Sequence, residues 1–337
     1  MNIAHLFRKL APASRNDAAA VKRLSWLNRF GPLLALLLVY GFFALLNARI
    51  ATFAALETII QQSVIVGVAA LGMTLVIISA GIDLSAGSII AMSSVVAALL
   101  IQSLGLSPLL AVLGCLLVAT TLGLINGTLI TRLRLVPFIA TLGMLLAVRG
   151  FAKGLARGMP VNVEPTWLNE LLATLPPDQK WLLIPPGGWL MLFLAMIIAG
   201  FLKYTPLGRH IYAVGSNEQT ARLCGVAVER VKLFVYAAAG AFAGLAGIML
   251  MSYQEQGDPT GAVGMELDVI AAVVIGGGSL SGGEGSILGS LVGAIIMTVI
   301  RTGGQLNGWP TWVTQVVTGV VIIIAVAVDR LRHRHMA

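Results

Sequence analysis

LGMTLVIISAGIDLSAGS, residues 71–88, sets a glycine-containing break and one acid between two apolar runs. A near-twin, IAAVVIGGGSLSGGEGSI, recurs at residues 270–287. Paired glycine-interrupted hydrophobic segments in two halves of a chain point to a transport pathway, because broken helices supply backbone polarity at membrane depth. The pattern predicts an all-α integral membrane protein with Gly-interrupted segments and two related halves.

Composition agrees. Of the 337 residues, 58% are hydrophobic and 11% charged, and the mean hydropathy is +0.92. A soluble chain of this make-up could not clothe itself in a solvated surface. A span needs roughly 20 mostly apolar residues. Such runs fall near 30–47, 58–80, 87–103, 107–130, 136–152, 187–203, 233–253, 267–278, 286–302 and 309–328, so about ten transmembrane helices are expected. The run 267–278 is too short to cross as a straight helix and reads as a half-helix. No room is left for a soluble catalytic domain of roughly 100 residues, and one membrane domain, 30–329, is expected.

The net charge of +8 is a matter of topology. Arg8, Lys9, Arg15, Lys22, Arg23 and Arg29 precede the first run, Arg132 and Arg134 follow the fourth, and Arg209, Arg222, Arg230 and Lys232 follow the sixth. Arg330, Arg332 and Arg334 close the chain. Counting alternate runs puts all four groups on one face, which the positive-inside rule makes cytoplasmic. Residues 1–29 and 330–337 then form cytoplasmic tails, 204–232 is a cytoplasmic loop, and 153–188 lies outside. The external segment carries six prolines with Trp167, Trp181 and Trp189, the composition of a rigid loop with aromatic interfacial anchors. The basic residues form no continuous face, so nucleic acid is not an expected partner. Lipid is.

Cys115 and Cys224 suggest neither a disulfide framework nor a metal site. His5, His210, His333 and His335 sit in tails or loops. There is no G-x-x-x-x-G-K-[ST] pattern, so ATP hydrolysis by that route is not expected of this chain. Leu280-Ser281-Gly282-Gly283-Glu284 imitates the LSGGQ signature of ABC ATPases, but it lies between apolar runs and reads as a glycine-rich break.

The candidate pathway or gating residues are therefore Gly81, Asp83 and Ser85 in the first break, and Gly276, Gly277 and Ser279 in the second. Asp83 or Ser85 could cap the helix beginning near Ala86 by accepting from its free amides; lining or gating the pathway is the alternative role for the acid. Small residues recur at Gly123-x-x-x-Gly127, at Gly240-x-x-x-Gly244 and at Gly285, Gly289 and Gly293. That spacing serves close helix packing within one bundle or a seam between two copies. In the cytoplasmic loop, Asn217–Cys224 can form a short helix capped by Ser216 or Asn217 and stopped by Gly225. It reads as a docking element for a soluble partner or as a solvated linker.

Four stretches carry a resemblance. ALGMTLVIISAGIDLSAGSI (70–89), NGTLITRLRLVPFIATLGMLLAVRG (126–150), GRHIYAVGSNEQTARLCGV (208–226) and ELDVIAAVVIGGGSLSGGEGSILG (266–289) are similar, in collinear order, to the permease subunits of bacterial ABC importers for monosaccharides, the ribose-permease branch. The resemblance implies a permease of the bacterial inner membrane with both termini cytoplasmic. It implies a second copy of the permease, a cytoplasmic ABC ATPase that is often duplicated in one polypeptide, and a periplasmic or extracellular sugar-binding protein. It implies no cofactor on this chain, with ATP and Mg on the ATPase. The cargo would be a ribose-like pentose or related sugar. The 216–226 helix would be the coupling helix, with Ser216, Asn217, Glu218, Ala221 and Gly225 at the contact. Thr220-Ala221 and Cys224 depart mildly from the small residues usual there, and Gly158–Asn162 would meet the binding protein. An ion-coupled secondary transporter of small polar solutes is the competing reading, and would need acids or histidines paired at midplane. A membrane-embedded enzyme comes third, for want of a convergent catalytic set.

Overall fold

The computed structural model describes residues 15–334, with side-chain surroundings given for 31–330 apart from Pro177, Gln179 and Lys180. Of the expected tails, 1–29 and 330–337, residues 1–14 and 335–337, with His5, Arg8, Lys9 and His335, lie outside the described residues. The described part is helical except for short connections and the longer segment 156–185. In chain order the helices are α1 (Arg15–Leu46), α2 (Phe53–Ile78), α3 (Ala86–Gln102), α4 (Pro108–Thr131), α5 (Pro137–Leu155), α6 (Pro186–Tyr204), α7 (Pro206–Ser216), α8 (Glu218–Leu223), α9 (Val228–Gln254), α10 (Met265–Ile275), α11 (Ile287–Leu306) and α12 (Thr311–Arg334).

Their starts follow from local chemistry. Pro108, Pro137, Pro186 and Pro206 open α4, α5, α6 and α7, where a missing N–H costs nothing and a fixed φ is already helical. Thr205 accepts from Gly208 N at 3.0 Å to cap α7, and Ser286 accepts from Gly289 N at 3.1 Å to cap α11. These bonds satisfy amides that have no partner inside the helix.

Each of the ten apolar runs falls in a helix, but the count of ten spans is not what the structure supplies. Among the described residues, seven helices are long and apolar enough to cross a bilayer: α2, α4, α5, α6, α9, α11 and the part of α12 to Arg330. Gly31–Leu46 within α1, and α3, are apolar but shorter. The half-helix expected at 267–278 is α10, whose 11 residues reach about 16 Å, half of a bilayer core.

The buried centre is α2, wrapped by α9, α10 and α11, while α4, α5 and α6 leave most of their apolar surface outward and α12 is peripheral. In water such a distribution would be untenable. In lipid it is ordinary, since apolar side chains gain nothing by hiding from acyl chains. The small-residue motifs serve this bundle: a Cβ on Gly123 would lie 3.1 Å from Gly240 Cα, and one on Gly244 would lie 2.7 Å from Ala119 Cβ. Gly289 and Gly293 abut the backbone of Gly276 and Ala272 in the same way. Packing within one chain is therefore the role these glycines play here.

The 153–188 segment is not a free loop. Val161–Asn162 (β1) pairs antiparallel with Gln256–Gly257 (β2), Val161 opposite Gly257. Further on, Leu172 N donates to Ser252 Oγ at 3.2 Å, Gln61 Nε2 to Leu172 O at 2.8 Å and Leu175 N to Glu57 Oε1 at 2.7 Å. Trp167, Trp181 and Trp189 stay exposed.

Candidate coupling site and the two broken segments

Between α2 and α3 the chain breaks at Ser79–Ser85. Gly81 N still donates to Val76 O at 2.9 Å, and Ala80 takes a φ of +59°, which ends the helix. Leu84 N donates to Thr141 Oγ1 at 3.1 Å, and Tyr236 Oη donates to Ile82 O at 3.4 Å. The freed backbone is thus satisfied by α5 and α9, as membrane depth demands.

Asp83 and Ser85 do not cap α3 as expected. Ser85 occupies the N-cap position with φ −77° and ψ −9° and makes no side-chain cap bond. Its backbone is already helical, and its hydroxyl is engaged elsewhere: it donates to Asp83 Oδ1 at 2.6 Å and accepts from Asn126 Nδ2 at 2.8 Å. Asp83 Oδ1 also accepts from Ser85 N at 2.9 Å. The acid closes a tight turn ahead of the helix instead of reaching into it. Asp83 is only 1% exposed, so in this conformation it lines no open water.

The second break follows α10. Gly277, Gly282 and Gly283 all have positive φ, a geometry that L side chains adopt only with strain. Ser279 ties the loop in two directions: its amide donates to Glu284 O at 3.2 Å, and its hydroxyl donates to Asp329 Oδ2 of α12 at 3.1 Å.

The two breaks meet each other and the segment between α6 and α9 at one point. Gly283 N donates to Ile78 O, the last residue of α2, at 2.8 Å. Gly215, near the end of α7, packs directly on that carbonyl and on the Gly283 amide, while a Cβ on Gly282 would meet the Gly215 carbonyl at 2.6 Å. Tyr212 Oη donates to Gly285 O at 3.2 Å. Burial raises the Tyr212 phenol above its ordinary range, so the donor is kept through neutral pH. Backbone touches backbone here because Gly215, Gly282 and Gly283 have no side chain and Ile78 meets them through its carbonyl.

Directly beyond this contact lies α8. Asn217 is its cap, accepting from Thr220 N at 2.8 Å through Oδ1. Gly225, at φ +83°, follows the C-cap Cys224, and Val226 N returns to Ala221 O at 3.0 Å. The expected limits of the helix are met, with Asn217 and not Ser216 as the capping side chain. Glu218 and Arg222 join it to the start of α9: Arg222 pairs with Glu229 at 2.6 Å, and Lys232 with Glu218 at 2.6 Å. Hydrogen bonding to Glu229 raises the Arg222 pKa further.

One expected contact residue faces the wrong way. Ala221 is 4% exposed and belongs to the chain's own core, because a one-and-a-half-turn helix lying on a bundle must bury one side. The outward residues are Ser216, Asn217, Glu218, Gln219, Thr220, Arg222, Leu223, Cys224 and Gly225, so the other expected contact residues do face outward. Leu223 is 88% exposed, an apolar side chain aimed at solvent on a capped helix. Sequence reasoning passed over it, and over Tyr212, Thr141, Asn126 and Tyr236. Only Leu223 left a signal, as the apolar residue opposite Ala221 in the helical repeat. Among the described residues no group of three or more His, Cys, Asp or Glu side chains could hold a metal ion.

Sequence comparison places these features in a family. Residues 55–326 match the family described as branched-chain amino acid transport system / permease component. The ribose import permease protein RbsC of Escherichia coli K12 is 38% identical over 305 residues, 90% of this chain and 94% of that protein. RbsC of Bacillus subtilis is 40% identical over 305 residues, 90% and 93% of the two chains. The autoinducer 2 import system permease protein LsrC of Photorhabdus laumondii is 33% identical over 301 residues, 89% of each. No solved structure matches.

Proposed function

The chain belongs to the ABC-importer permease family, as a transport subunit and not the ATP-hydrolysing one, and from that premise we propose that it carries a ribose-like pentose or related monosaccharide inward. The observation that carries the proposal is the three-way contact of Ile78, Gly215 and Gly283. It joins α7, the helix immediately before the docking-type helix α8, to both breaks in the bundle largely through backbone, with Tyr212 supplying a side-chain bond at the junction. A displacement of α8 carried by α7 therefore has little side-chain repacking to absorb it. Bistable packing of this kind turns a small shift at one site into a discrete rearrangement at another.

In this reading a cytoplasmic ATPase, duplicated in one polypeptide, seats α8 of each permease in a homodimer. Nucleotide, with Mg, is bound only there. A periplasmic or extracellular protein delivers the sugar to the face bearing β1 and the 153–188 segment. Closure of the ATPase moves α8, and with it the ends of α2 and α10, alternating the pathway between outward and inward access. The permease itself needs little differential affinity for sugar, because the nucleotide cycle biases the equilibrium. α1, α3 and α10 complete a ten-pass topology with both termini cytoplasmic.

Reconstitution tests it. The purified chain alone should hydrolyse no ATP; with the ATPase and sugar-loaded binding protein, hydrolysis should rise and radiolabelled sugar should accumulate in proteoliposomes. Uptake sustained by a proton or sodium gradient without any ATPase would overturn the importer and favour the ion-coupled alternative.

A further inference from the structure

A closed ion pair sits in α10 and α11, well away from the glycine contact. Arg301 Nη2 donates to Asp268 Oδ2, with the acid almost wholly buried and the guanidinium partly open. Charges at such a place in a membrane bundle are expensive and mark pathways more often than they stabilise folds.

What surrounds the pair is a cavity of about 180 Å³ whose lining includes Gln62 of α2, Tyr253 of α9, and Thr298 and Gln305 of α11. For scale, a cavity of roughly 150 Å³ accommodates a benzene ring. Gln62 Nε2 reaches Tyr253 Oη at 3.4 Å, a long bond that a better acceptor would displace. Asp268, Arg301 and Gln305 also wall a second cavity of about 500 Å³ that continues toward Trp309 and Thr314. The pair thus lines both cavities, the smaller of them ring-sized.

We propose that this chamber is the permease's own contact site for a neutral polyhydroxylated ligand, formed by Gln62, Tyr253, Asp268, Thr298, Arg301 and Gln305. Because Asp268 and Arg301 neutralise each other, they present an acceptor and donors without net charge. The other four side chains are likewise neutral donors and acceptors. A cation or an anion would find its own charge already answered, whereas a sugar hydroxyl is served by both kinds of partner at once. Specificity of this sort comes from leaving polar groups unpaired when the wrong ligand enters.

The proposal rests on the sugar-importer reading, and the experiment separates the two. The full complex of permease, ATPase and binding protein is reconstituted with Gln62→Leu, Thr298→Val or Tyr253→Phe, and uptake of D-ribose and a panel of monosaccharides is measured per ATP hydrolysed. Loss of a single hydrogen bond should lower that ratio about threefold to tenfold and change the order of preference among sugars. A ratio and order unchanged in all three variants would overturn the site while leaving the importer intact, including the case where uptake and hydrolysis fall together from poor folding. Failure of the wild-type complex to move any monosaccharide would overturn both.

Discussion

Asp83 illustrates how a buried acid is held when no cation answers it. Its Oδ1 takes both the amide and the hydroxyl of Ser85, and Ser85 in turn takes Asn126. Truncation to alanine strips acceptors from two buried donors, and each stranded donor costs about 1–3 kcal/mol. Asp83→Ala should therefore lower the thermal midpoint of the detergent-purified protein and reduce its yield, while Asp83→Asn, which keeps an acceptor at the same place, should fall between it and the wild type. An Asn variant no more stable than the Ala variant would show that an acceptor oxygen at this place is not what holds the turn. Sequence alone announced an acid beside a break and two roles for it. It could not announce the turn, since Asn126 and Thr141 are brought to the break by α4 and α5, whose register against it is a tertiary fact.

At the level of the element, α8 was legible because helix ends are local chemistry: a cap residue at 217, a positive-φ glycine at 225, and little between them that resists helix. Its orientation was not legible. Which side of a six-residue helix faces inward depends on the bundle beneath it, and Ala221 proves to be the buried side. Substitutions on the two sides should separate accordingly. Leu223→Glu places a charge on the solvent side, where it spares the fold but desolvates poorly against a partner; it should abolish binding-protein-stimulated ATP hydrolysis in the reconstituted complex with normal membrane insertion. Ala221→Arg forces a long cation into the core and should instead lower expression and thermal stability, as overpacking and an unpaired buried charge both do. If the two variants exchanged these phenotypes, α8 would have to dock by its other side.

For the whole molecule, the ten apolar runs were readable from hydropathy, yet their lengths were not, because run edges blur into interfacial residues. The short members, α3 and α10, are short because each abuts a break that the other segments stabilise. The expected topology is testable with single cysteines in a chain lacking Cys115 and Cys224. Glu170→Cys, exposed in the segment after α5, should react with an impermeant maleimide in sealed cells, and Ser216→Cys should react only after permeabilisation. Labelling of position 216 from outside would invert the assignment. Asn169, its neighbour, is unsuitable, since its side chain is engaged by Thr166 and largely buried.

The β1–β2 ladder, only two residues on each side, has a mechanical meaning once α9 is followed from end to end. The helix begins three residues after Gly225, at the foot of α8, and ends two residues before Gln256 of the ladder. Its 27 residues make a rod of about 40 Å. A rod of that length tilted by about 5° moves its far end by roughly 3.5 Å, comparable to two helical residues of rise. The β1–β2 ladder and α8 thus sit at opposite ends of one rod, and a tilt imposed at either end is carried to the other by α9.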